Sequence, residues 1–260
     1  MANQDWELYI ATLLLEVNRH GNPKTPSFRV SEWTERFAEA GFDGMELWEY
    51  HATLAEPEEA EALQTTAFPT AIFNTYASMD EAGREDRERA TRWVERLQPW
   101  GIKFNVGKEP AARETYLTTV REWRAQLPAD VTLLCECHPG TIVEEPEAAK
   151  QFFDDLNVDN WGIIVHALNR IESLQAWFDT FGSAVMHAHL QMRTDDRQVI
   201  RFDRRPERTR EAVRVMSDAG FQGSCSFEFT EGMRTPDENI EDLWANTLRD
   251  LAYLRTVLSQ

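Results

Sequence analysis

Four short apolar runs in this 260-residue chain end in residues able to ligate a metal. They are Val131–Gly140 (Val-Thr-Leu-Leu-Cys-Glu-Cys-His-Pro-Gly), Gly162–His166 (Gly-Ile-Ile-Val-His), Ala184–His189 (Ala-Val-Met-His-Ala-His) and Ser224–Glu228 (Ser-Cys-Ser-Phe-Glu). His138, His166, His187 and His189 are four of the six histidines, and all lie at these ends. An imidazole or carboxylate that closes a buried run is costly unless it is paired or bound to a cation. On an extended chain Glu136 and His138 share one face, as do His187 with His189 and Glu46 with Trp48. A lone buried histidine is more often a satisfied core residue, so it is the recurrence at successive run ends that points to a site. Carboxylates and imidazoles together suit manganese or a transition metal better than calcium, and magnesium prefers oxygen. The spacing fits no zinc finger, and no His-Glu-x-x-His helix occurs.

These residues need strands to carry them. Strand patterns fall at 8–15, 44–48, 69–75, 102–106, 131–137, 162–166, 184–190 and 223–228. Amphipathic helical patterns lie between them, near 31–41, 54–64, 80–98, 111–127, 145–156, 170–180, 206–219 and 237–257. Ser31, the Glu145-Pro146 pair and the Thr235-Pro236 pair read as helix starts, and Gly41 and Gly220 as helix stops. Strictly alternating strands and helices predict a single (β/α)8 TIM barrel over residues 1–260, with chemistry at the C-terminal strand ends. A dinucleotide-binding open sheet is disfavoured, because no glycine-rich turn follows the first strand.

Composition narrows the partners. The chain has 45 Asp and Glu against 27 Lys and Arg, a net charge of -18, which repels nucleic acid and anionic membrane. No apolar run is long enough to span a bilayer, and no secretory signal pattern is visible, so a cytoplasmic location is expected. Three cysteines, Cys135, Cys137 and Cys225, form no disulfide framework and read as small buried groups.

The ordered motifs resemble the xylose-isomerase-like barrels of sugar and sugar-phosphate isomerases and epimerases, a group that takes in tagatose 3-epimerase-like and inosose dehydratase-like enzymes. Gly41-Phe-Asp-Gly-Met-Glu46-Leu-Trp48 is similar to the family's second-strand phrase. Glu136-Cys-His138 and His187-Ala-His189 resemble its fifth- and seventh-strand segments, and Glu228 its eighth-strand glutamate. The resemblance implies a metal held by Glu136, His166, His189 and Glu228. His166 stands where the family has an aspartate, which removes one negative charge. Manganese is the expected ion, with zinc, cobalt, iron and magnesium as alternatives. The resemblance further implies that Glu136 and Glu228 are the catalytic acid and base. They would act on a ketose by abstracting a proton α to its carbonyl and passing through an enediolate. His138, His187, Arg193, Glu46 and Trp48 are the substrate-binding candidates, and the expected partner is a small carbohydrate or polyol, with homo-oligomerisation open. The mixed-charge stretch from Arg193 to Arg205 reads equally as a cover over the site, a solvated surface or a subunit contact.

Three other function classes remain in view. A lyase or dehydratase on a keto-sugar or keto-inositol would use the same first step. A sugar-binding or scaffold barrel without catalysis would explain the missing aspartate. An apurinic-site endonuclease shares the barrel, but the net charge opposes DNA.

Overall fold

A computed structural model describes residues 6–260. Eight parallel strands close into a barrel: Glu7–Ala11, Gly44–Trp48, Thr70–Asn74, Gly101–Phe104, Thr132–Glu136, Trp161–His166, Val185–Leu190 and Ser224–Phe227. Each neighbours the next in sequence, and the eighth pairs with the first to complete the ring. Seven connections carry helices over the outside, and the helix Ile240–Leu258 follows the last strand.

Side-chain alternation divides the apolar residues into two groups. Outward residues such as Leu133, Cys135, Ile163, Val165, Ala188 and Phe227 pack under the helices in the main core. Cys137 and Cys225 lie in that layer too, buried and unpaired. Inward residues Tyr9, Ala71, Ile72, Leu134 and Ile164 form a separate apolar cluster inside the barrel. This cluster floors the site: two residues further along each strand, Ile72 gives way to Asn74, Leu134 to Glu136 and Ile164 to His166. Pairing register slips between Met45 and Glu46, and again between Ile163 and Ile164. Such irregularities re-aim side chains, and both fall just before inward polar groups.

Most element boundaries match the sequence pattern, but the helix expected near 54–64 begins at Pro57 behind an unexpected short helix, Glu49–Thr53, and two further differences have physical reasons. The strand expected over 8–15 ends at Ala11, and Thr12–Leu15 turn helical. A continuous apolar run does not distinguish the two conformations. The last helix starts at Ile240 rather than near 237, because Asn239 is the residue that caps it, accepting a bond from the Asp242 amide. The two glycine stops behave as expected: Gly41 and Gly220 adopt φ of 85° and 70°. Among the described residues no helix is long and apolar enough to cross a membrane.

Candidate metal centre

The four strand ends meet. Glu136 is the last residue of the fifth strand, His166 of the sixth, His189 lies one short of the end of the seventh, and Glu228 follows the eighth. All four are buried, and one potential ligand atom from each lies within 4.8 Å of the others. His166 Nε2 is 3.0 Å from Glu136 Oε1, and His189 Nδ1 is 3.3 Å from the same oxygen. Glu228 Oε2 is 3.6 Å from His189 Nδ1 and 3.8 Å from His166 Nδ1. Despite these distances, His166 Nε2 and His189 Nδ1 are buried with no hydrogen-bond partner. Buried nitrogens seldom go unpaired, and those that do call for an explanation. A cation at the point where they meet the carboxylate oxygens supplies one, so this donor set fits a divalent metal.

The surroundings orient the ligands. Glu46, on the second strand, lies with its Oε2 3.1 Å from His189 Nε2. A carboxylate only accepts, so that contact places a proton on Nε2 and makes Nδ1 the nitrogen that would meet an ion beside Glu136 and Glu228, the carboxylate–histidine arrangement common behind metal sites. Asn74 donates to the other Glu46 oxygen at 2.6 Å. Lys103, fully buried on the fourth strand, sits 2.8 Å from Glu136 Oε2, which also accepts from Asn105 at 2.9 Å. Only Oε1 of Glu136 is left facing the two imidazoles. Gln191 donates from its amide to Glu228 Oε2 at 2.5 Å and accepts from Arg193 Nε at 2.7 Å.

These pairings hold the charges in place. Burial is the largest single influence on Glu136 and opposes its charge. Lys103, His166 and His189 together outweigh it and hold the carboxyl well below its ordinary range. Burial likewise opposes the Lys103 ammonium, and Glu136 with its neighbours holds that group above the usual lysine value. His189 is held well above an ordinary histidine by Glu46, Glu228 and Glu136 against the effect of burial. Metal binding at His189 would therefore displace a proton.

The remaining sequence candidates are spread over three environments. His187 lies deeper than the mouth, fully buried, its nitrogens 2.7 Å from Ser224 Oγ and 2.9 Å from Ser226 Oγ. It is enclosed by protein groups and stacked near Tyr9, so direct contact with substrate, as expected from the sequence, is not available to it. Burial pushes its pKa down, with Glu46 opposing. Glu46 is equally enclosed and reaches the site only through His189. Trp48 is buried against Tyr50 and His51, with one side on a small cavity of about 350 Å³ shared with Tyr76 and Phe229. His138 is exposed on the rim beyond the strand, its ring 5.8 Å from that of His166. His138 and Arg193 both line a larger cavity of about 780 Å³ that reaches His166 and Gln191. A third cavity, of about 480 Å³, opens at the opposite end of the barrel beside Glu7 and Trp100 and is lined by none of the candidate site residues.

Lys103, Asn105, Asn74 and Gln191 had no place in the sequence reading. A signal existed for the first: one of only four lysines sits inside an apolar run, Gly101-Ile-Lys-Phe, on the inward face of a strand.

A sequence model of the family described as xylose isomerase-like TIM barrel matches residues 35–254. The chain belongs to this family. Among solved structures it is similar to a D-psicose 3-epimerase determined in the presence of D-fructose, at 15% identity, TM-score 0.71, covering 98% of this chain and 100% of that one. It is also similar to AsbF of Bacillus anthracis, a probable 3-DHS dehydratase involved in petrobactin synthesis, at 15% identity, TM-score 0.68, covering 95% and 98%. A xylose isomerase-like TIM barrel protein from Mycobacterium smegmatis, in complex with magnesium, aligns at 13% identity, TM-score 0.68, covering 99% of both chains. No curated protein sequence matches significantly. At these identities the structural likeness is one of fold, and the site rests on this chain's own residues.

Proposed function

We propose that this xylose isomerase-like barrel is a divalent-metal-dependent sugar isomerase or epimerase that moves a proton α to a substrate carbonyl. The observation that carries the reading is the pair of unpartnered nitrogens, His166 Nε2 and His189 Nδ1, facing two carboxylates at the closed barrel's mouth. Glu136, His166, His189 and Glu228 would hold the ion, a mixed set of two carboxylates and two imidazoles for which manganese is the ion we propose. A bound cation supplies Lewis acidity, polarising a carbonyl so that the neighbouring C–H becomes acidic.

The protein groups then divide the proton work. Glu228 is tied to Gln191 through Oε2 alone, so Oε1 is available to accept the proton. Glu136, kept anionic by Lys103, would be the second carboxylate of the pair. Glu46 and His187 fix His189 from below. The structural similarity to epimerases of ketoses supports this reading.

A lyase reading shares the first step and is favoured by one observation. His138 stands exposed on the rim, outside the buried network, where a proton can be relayed to a departing hydroxyl.

Metal analysis of the purified protein, with Glu228→Gln and His189→Ala variants, tests the centre. Incubation of metal-loaded protein with D-fructose, D-tagatose and keto-inositols in D2O tests the chemistry. Deuterium entering the α carbon marks isomerase or epimerase action, and loss of water marks the lyase. A wild-type protein that binds no divalent ion, or binds it equally well in both variants, would sink the proposal.

A further inference from the structure

The -18 chain concentrates positive charge in one place. The cavity of about 780 Å³ above His166 is lined by six arginines and only two carboxylates, Glu172 and Asp195. Both carboxylates are already engaged, Glu172 by Arg208 at 2.8 Å and Asp195 by Arg205 at 3.2 Å. The other acids of the stretch are engaged as well: Asp203 pairs with Arg201 at 3.2 Å, and Asp196 accepts from Thr194. The aspartates interleaved in this segment therefore leave Arg193 and Arg197 without an ion pair.

Three guanidiniums, of Arg193, Arg197 and Arg234, line the cavity with no carboxylate partner among the described residues. Arg197 sits in the turn of the hairpin formed by Met192–Arg193 and Val199–Ile200, and Arg234 in the loop after the eighth strand. Both have left-handed backbones, φ 67° and 60°, a conformation that costs a non-glycine residue energy and tends to persist where function requires it. A fourth arginine on the same cavity, Arg170, has its Nη1 buried without a hydrogen-bond partner. Arg193 is also tied inward: it donates to Gln191, which donates to Glu228.

The metal-site carboxylates do not account for this charge. Glu46, Glu136 and Glu228 together carry three negative charges, which a divalent ion and Lys103 balance. Without a further anion, the mouth holds like charges that repel one another.

We propose that the substrate carries a permanent anionic group, a carboxylate or a phosphate ester, bound by Arg193, Arg197 and Arg234 while its carbonyl end faces Glu136 and Glu228. This inference rests on the metal-centre reading for the carbonyl end alone; the arginine site stands without it. Guanidinium suits both anions because its planar fork forms paired hydrogen bonds to either.

Three six-carbon ketoses separate the cases: neutral D-fructose, D-fructose 6-phosphate and 5-keto-D-gluconate. Each is titrated calorimetrically at fixed ionic strength into EDTA-treated protein and into manganese-loaded protein. At least one of the two anionic ketoses is expected to bind about tenfold or more tighter than D-fructose, the scale of one charge-assisted hydrogen bond. Preference for the phosphorylated or the carboxylated ketose identifies the group. The advantage should disappear in Arg193→Gln/Arg234→Gln, fall in Arg197→Gln, which lies in an exposed turn and leaves the barrel untouched, and survive in the surface control Arg214→Gln. Equal binding of all three ketoses, or an advantage retained in the double variant with its circular dichroism unchanged, overturns the proposal. An anion advantage in protein that binds no manganese would leave the arginine site standing and reject the metal reading. Manganese binding with no anion advantage would do the reverse.

Discussion

Two polar clusters sit one above the other inside this barrel and share His189. The lower consists of Glu46, His187 and His189, the upper of Glu136, His166, His189 and Glu228. Composition does not separate them, since both are buried carboxylate–imidazole groups. Hydrogen bonding does. In the lower cluster both nitrogens of His187 meet serine hydroxyls and both Glu46 oxygens are engaged, with only the neighbouring Asn74 Oδ1 unpartnered. In the upper cluster two ring nitrogens face carboxylate oxygens without bonding to them. A satisfied buried network rigidifies a fold, whereas an unsatisfied one is costly unless something binds there. The lower cluster is therefore read as support and the upper as a site.

The largest effect expected from breaking this contrast is at Lys103. Lys103→Met leaves Glu136 buried without its permanent counter-ion, and removing one member of such a pair typically costs about 3–5 kcal/mol. Manganese should recover part of that loss by giving Glu136 another cation. Urea unfolding with and without the ion measures both; a metal-independent loss would mean Glu136 does not face the ion. Next comes Glu228→Gln, which should lower turnover at least ~100-fold once a substrate is in hand, the lower range for a general acid–base. Near-native turnover with metal retained would remove Glu228 from the proton chemistry. Smaller again is Glu46→Gln. It keeps the shape of the lower cluster but weakens its hold on His189, and partners behind a metal ligand are worth about 10–100-fold in affinity. Competition with a chelating dye reads this directly, and an unchanged affinity would show that the lower cluster does not support the upper.

How much of this was visible in the chain follows from the same contrast. The barrel was legible because strand and helix periods alternate cleanly, and the four converging residues because each closes an apolar run. What was missed is non-local. His187 and His189 share a face, yet two residues along a strand move a side chain from the mouth to the sealed interior, and sequence spacing does not say where the seal lies. Ser224 and Ser226, which enclose His187, come from a neighbouring strand whose register is set by the closed barrel. Gln191 lacks any motif and Lys103 offers only its place in an apolar run, and what each does appears when Glu228 and Glu136 are seen beside them. The arginines were visible, but which aspartates neutralise them depends on a hairpin turn that the sequence did not reveal.

The smallest effect concerns a buried carboxylate with hydrogen bonds but no ion pair. Asp250, on the last helix, accepts from the Phe202 amide at 2.8 Å and from Thr230 Oγ1 at 2.7 Å, anchoring the segment that follows the arginine hairpin. Burial dominates and pushes its pKa up to about 7, the two hydrogen bonds opposing. Glu46 and Glu136 are buried as deeply but held low by charged partners in contact, so Asp250 shows burial prevailing where no ion pair opposes it and only the more distant charges of Asp203 and Arg201 act, in opposite directions. In the unfolded chain an aspartate loses its proton near ~3.9, so between that value and about 7 the folded state holds more protons. Stability therefore falls as pH rises through this window and levels off above it, by roughly 1.4 kcal/mol between pH 6 and pH 8. Asp250→Asn keeps an acceptor for the Phe202 amide, and the Thr230 hydroxyl can turn to accept from the new amide. The variant should therefore lose this component of the pH dependence and gain on the wild type above pH 7. Urea midpoints of both proteins at pH 6, 7 and 8 provide the test. Parallel curves would show that Asp250 is ionised throughout, and that a buried carboxylate stays charged in this barrel without an ion pair.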